Sequence, residues 1–154
     1  MASAEWGGLP FMNGVNLGNV FIPEDLFADE DFYKKNGIPK VADQYSLCDL
    51  TGDKQHTKNV METWLKERII ESEFAEMAGM GINVLRLPLG YWQLVDMPGS
   101  PNAASAAAER WGHLKDIMPA AEYRPYIDQV TQYARANGMQ VLYDLHGAPG
   151  GQSN

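Results

Sequence analysis

The chain has 154 residues, 45% of them hydrophobic and 21% charged, with 12 Lys and Arg against 20 Asp and Glu for a formal net charge of −8. That is enough for one domain with a real core, which at this size buries about 68–70% of its unfolded surface. Scattered acids disfavour a nucleic-acid partner, whose phosphates they would repel, and no run approaches the ~20 apolar residues of a bilayer span.

The opening MASAEWGGLP lacks the basic and apolar regions of a secretory signal. "FMNGVNLGNVF" then reads as a short strand around Val15–Leu17, punctuated by Gly14 and Gly18. The stretch Ile22–Asp53 is rich in turn formers and poor in periodicity, with a turn expected at Asp49–Asp53. Within it lies the one cysteine, Cys48, read as a small buried apolar residue. A single helical stretch follows. Val60, Trp64, Leu65, Ile69, Phe74, Met77 and Ala78 keep roughly i, i+4 spacing until Gly79 and Gly81 end it.

"INVLRLPLGYW", Ile82 to Trp92, is a dense apolar run with one arginine inside. Its length and flanking glycines predict a strand buried on both faces, as in parallel sheets. An inserted loop with a short helix near Ala103–Leu114 comes next. In "AAEYRPYIDQVTQYARANG", Tyr126, Ile127, Val130, Tyr133 and Ala134 share a helical face, and Gly138 stands where a C-cap glycine belongs. "MQVLYDL" is the third strand. Two helix-linked strand pairs at this spacing predict βαβ units and a parallel sheet.

Ligands of such sheets meet the C-terminal ends of the strands. There the first strand is followed by Glu24, the second by Arg86, Tyr91 and Trp92, and the third by His146 with Asp144 two residues before it. An arginine in an apolar strand must be paired. Arg86 is therefore either half of a structural ion pair or a planar fork holding a carboxylate or a hydroxylated ligand. Pro88, which lacks an N–H, suggests that the strand is ending there. His146 is either a satisfied polar residue or a site residue, and "GAPGG" behind it lets the backbone approach a ligand closely. Trp92 could offer its face to a sugar ring. The three histidines lack metal-site spacing, and neither metal nor cofactor is called for.

Together these segments resemble glycoside hydrolase family 5, in particular its exo-β-1,3-glucanase branch. The family's GVNLGGW-(x)3-E opening is matched by Gly14, Val15, Asn16, Leu17, Gly18 and Glu24, with Asn19 and Val20 where Gly-Trp is usual. Its NxVRxPxGYW strand is matched by Asn83, Val84, Arg86, Pro88, Gly90, Tyr91 and Trp92, and its DLHGAPG segment by Asp144 to Gly150.

The resemblance implies the N-terminal part, about three β/α units, of a TIM (β/α)8 barrel that hydrolyses β-1,3-glucan with retention. Arg86 would pair with the nucleophile, His146 would lie beside the sugar subsite, and Glu24 would bind terminal sugar hydroxyls, with Tyr91 and Trp92 as further substrate contacts. Both catalytic glutamates are expected on later strands, after Asn154. Residues 1–154 would then form one incomplete catalytic-barrel domain, with an N-terminal segment 1–13, a long loop 22–58 and a loop with a short helix at 95–120. Strand 139–145 would be an apolar edge needing cover from the rest of its barrel or from another chain. An extracellular or wall-associated address goes with the family. A non-catalytic glucan-binding or structural protein derived from a truncated hydrolase is the alternative, and a small flavodoxin-like domain fits less well.

Overall fold

The computed structural model describes residues 11–23, 30–40, 44, 46–47, 53–94, 118 and 120–148. In chain order these give β1 (Gly14–Asn16), α1 (Glu30–Lys35), α2 (Lys54–Arg68), α3 (Glu71–Gly79) and β2 (Val84–Gly90). A 3-10 turn (Tyr91–Gln93), α4 (Ala120–Ala136) and β3 (Gln140–Gly147) complete the order. The strands form one parallel sheet in the order β1-β2-β3.

Both helix-to-strand turns are built alike. After α3 the amide of Gly81 donates to Ala78 O and that of Ile82 to Met77 O. After α4, Gly138 donates to Arg135 O and Met139 to Ala134 O. This is the Schellman closure, in which the residue after the helix turns left-handed. The two glycines have φ +85° and +73°, as the sequence predicted for Gly138.

The predicted single helix is two. Asp53 caps α2, its carboxylate accepting from the amides of Gln55 and His56. The helix stops at Ile69, and Ile70 is extended before α3 begins. Two adjacent β-branched residues favour such a break, and it lets Trp64, Leu65, Ile69 and Phe74 all reach the core. The stretch expected to be irregular holds α1, whose Phe32 and Tyr33 are buried. Asp49–Gly52, Cys48 and the expected helix at 103–114 lie outside the described residues.

Leu85, Leu87 and Leu89 are fully buried and point into the cluster formed with Trp64, Leu65, Tyr123, Ile127, Val130 and Ala134 of the helices. Side chains alternate across a strand, so Asn16, Arg86 and Asp144, paired in register as Asn16 with Arg86 and Pro88 with Asp144, stand on the opposite face. β2 does not end at Pro88 but runs on to Gly90. The Val84 amide donates to Asn13 O, and Arg86 O accepts from Leu17. By alternation the nitrogen of residue 88 also points toward β1, which has already ended at Asn16. The missing N–H therefore removes no ladder bond.

β3 is an edge strand, with Leu142, Tyr143 and Leu145 at 56%, 51% and 56% exposure. It is longer than predicted and includes His146. Beside it, a hollow of about 210 Å³ is lined by Thr131, Arg135, Met139, Gln140, Val141 and Tyr143.

Candidate active site

The side chains that can do chemistry gather at the C-terminal end of the sheet, on the face turned away from the helices. Arg86 reaches out from β2 to both neighbouring strands. Its Nη1 donates to Asn16 Oδ1 on β1 at 3.0 Å, and its Nη2 to Asp144 Oδ2 on β3 at 2.6 Å. The same Nη2 lies 3.3 Å from His146 Nδ1, which is 3.0 Å from Asp144 Oδ2. All four groups keep access to solvent, with side-chain exposures of 38% for Arg86, 29% for Asp144 and 31% for His146.

His146 lies at a bulge. Leu89 pairs with Leu145 and Gly90 with Gly147, so one step of β2 faces two residues of β3. Alternation puts residues 144 and 146 on one face, and the imidazole stands beside Asp144. The predicted meeting of Arg86 with His146 is therefore found. Glu24, the third residue expected there, lies outside the described residues. Of the two readings left open for Arg86, the ion pair is observed, and its three contacts among the described residues use at most three of its five N–H groups.

Trp92 requires a correction. It is only 7% exposed. A Cβ added to Gly90 would meet its ring at 2.4 Å, and one added to Gly147 would meet it at 2.8 Å. The indole thus covers the ends of β2 and β3 and belongs to the core, so the expected exposed platform for a sugar is not present in this arrangement. Tyr91, set edge-on to Trp92 at 5.4 Å, remains partly open, and burial raises its phenol pKa above the ordinary 10.0.

Sequence reasoning missed Asn16, Gln93 and Trp64 as positioning residues and gave Asp144 no role of its own. Asn16 and Asp144 grip Arg86; two-residue alternation in "YDLH" was the signal that Asp144 shares a face with His146. Gln93, fully buried, accepts from the Gly90 amide at 2.9 Å and donates to Phe21 O. It ties the segment after β1 to the end of β2. Trp64 anchors the same segment, donating from Nε1 to Asn19 O at 3.0 Å and Val20 O at 3.1 Å. Asn19 takes φ +61°. A glycine is usual at that place in the resembled pattern, and asparagine is among the side chains that best tolerate left-handed backbone.

A profile of the family described as Cellulase (glycosyl hydrolase family 5) matches residues 34–154. The chain belongs to glycosyl hydrolase family 5. Among curated relatives, a glucan 1,3-beta-glucosidase of Blumeria graminis is 37% identical over 145 residues, covering 92% of this chain and 29% of the relative. A probable glucan 1,3-beta-glucosidase A of Aspergillus niger is 32% identical over 142 residues, again 92% of this chain and 29% of the relative. The family-5 chain thus spans under a third of the length of these relatives. Among solved structures, a rutinosidase from Aspergillus niger superposes with a TM-score of 0.66 at 26% identity, covering 90% of this chain and 34% of that one. Three parallel strands joined through helices are the arrangement of part of a (β/α)8 barrel. Among the described residues, no helix is long and apolar enough to cross a membrane.

Proposed function

We propose that the protein is a retaining glycoside hydrolase acting on β-1,3-glucan, in which this chain supplies the first three β/α units of a (β/α)8 barrel. The observation that carries this reading is the Arg86 guanidinium, held between Asn16 and Asp144 of the two flanking strands of a family-5 chain with donors to spare among the described residues. Retaining hydrolysis needs two carboxyls about 5–5.5 Å apart, one of which must attack as the ionised nucleophile. A guanidinium beside a carboxylate favours its charged form. Arg86 is suited to that work, with the nucleophile and acid/base carboxyls contributed by later strands. On this reading His146 hydrogen-bonds a sugar hydroxyl, and Glu24 and Tyr91 are the further substrate contacts. A polymeric substrate of this kind is met outside the cell, and an extracellular or wall-associated address belongs to the same proposal. Cover over strand 139–145 would come from the remaining strands of the barrel.

The test is hydrolysis of β-1,3-linked gluco-oligosaccharides by the full-length protein, with the anomer of the released sugar read by NMR. Release of the β anomer, lost in Arg86→Ala, is the expected result. Binding without cleavage would instead favour the non-catalytic alternative. A second reading, cleavage of a rutinoside, is favoured by the likeness to the Aspergillus niger rutinosidase. Preference for a rutinoside over the gluco-oligosaccharide in the same assay would select it.

A further inference from the structure

One carboxylate oxygen at the site serves two partners. Asp144 Oδ2 accepts from Arg86 Nη2 at 2.6 Å and lies 3.0 Å from His146 Nδ1, while Nη2 and Nδ1 are 3.3 Å apart. Such a triangle cannot be satisfied with every choice of proton. The guanidinium only donates and the ionised carboxylate only accepts, so the imidazole is the one member whose role is open. If Nδ1 carried a lone pair, it could accept from Nη2 at the long end of hydrogen-bond range. That lone pair would then also sit 3.0 Å from a negatively charged oxygen. If Nδ1 carries the proton, the shorter contact becomes a charge-assisted hydrogen bond, and only the longer 3.3 Å contact goes unused.

We propose that Asp144 is a positioning residue that fixes the tautomer of His146, holding the proton on Nδ1 and leaving Nε2 as the acceptor of the ring. A carboxylate on one nitrogen settles what the other can do. With Nε2 unprotonated, His146 accepts a hydrogen bond from a ligand hydroxyl; with the opposite tautomer it would offer a donor there. Two-residue alternation along β3 is the structural device for this, since it sets the imidazole on the same face as the carboxylate two residues earlier. The consequence for turnover rests on the glycosidase reading above, whereas the tautomer does not.

The full-length protein, labelled with 15N-histidine, tests this directly. His146 is assigned by the signals missing from His146→Gln, and long-range 1H–15N correlation, recorded where the ring is neutral, reads which nitrogen carries the proton. Wild type is expected to show a protonated Nδ1 and an unprotonated Nε2. In Asp144→Ala the pattern should reverse, because Arg86 Nη2 becomes the nearest partner of Nδ1. A wild-type ring protonated on Nε2, or a variant with an unchanged pattern, overturns the proposal. In the glucan assay Asp144→Ala should also lower turnover by roughly ten-fold or more, the scale of losing a hydrogen bond to a charged group. If the predicted tautomer is found in a protein that cleaves no glucan, the glycosidase reading falls and the tautomer assignment stands.

Discussion

Asn16 Oδ1 and Arg86 Nη1 meet at 3.0 Å across two directly paired residues of β1 and β2. The other arm of the same guanidinium is taken by Asp144 on β3, so the flat group is gripped from both neighbouring strands. A lysine carries one compact charge and cannot span both partners. If the protein is the proposed glucan hydrolase, Arg86→Lys in the full-length chain should therefore lower kcat on a β-1,3-gluco-oligosaccharide by about 100-fold, the scale expected for a site group misplaced by an ångström. Asn16→Ala removes one hydrogen bond to a charged group and should cost roughly ten-fold. Wild-type turnover in Arg86→Lys would show that the fork geometry is dispensable.

The same strand ends carry a packing constraint that can be measured without substrate. The Trp92 ring lies so close over Gly90 and Gly147 that a methyl group at either position would overlap it. Trp92 is buried, so the ring cannot simply swing into solvent. Gly90→Ala and Gly147→Ala should each destabilise the fold by about 1–3 kcal/mol, as overpacking does, read as a lower denaturant midpoint. Unchanged midpoints would mean that the indole has another place to go.

Much of this arrangement is legible in the residues. The three strands, the face of α4 and the glycine ending it follow from periodicity and backbone preference, and the meeting of Arg86 with His146 follows from their places on adjacent parallel strands, although Arg86 lies within β2 and not at its end as expected. The failures have a common cause in tertiary context. Pro88 reads as a strand terminator until its nitrogen is known to face the side that β1 no longer occupies. Trp92 reads as a sugar platform until a bulge in β3 brings Gly147 beneath its ring. The break at Ile69–Ile70 leaves the apolar spacing nearly intact, so periodicity alone does not reveal it.

Gly138 supplies the opposite case to Gly90. Its φ is +73°, yet nothing lies within 4 Å of where a Cβ would be. Gly138→Ala should therefore be destabilising through the left-handed backbone alone, by about 1–2 kcal/mol, and Gly138→Asn should be milder because asparagine tolerates that region. Equal losses in the two variants would point to a hidden clash instead of a conformational cost. Urea unfolding of both variants beside wild type distinguishes the two.

Tyr91 offers a pH test with a definite sign. Burial disfavours its phenolate and raises its pKa from 10.0 in the folded chain. Below pH 10 the phenol is neutral whether the chain is folded or not, and the benefit of burying it is fully present. As pH rises from about 10 through the folded value, the unfolded chain ionises first and that benefit is lost. Tyr91→Phe should therefore lose less stability than wild type between neutral pH and this alkaline range. The tyrosinate absorbance that disappears in the variant should titrate above the ordinary tyrosine value. A Tyr91 signal that ionises at or below pH 10.0 would show that the hydroxyl is held in water and not against the end of β2.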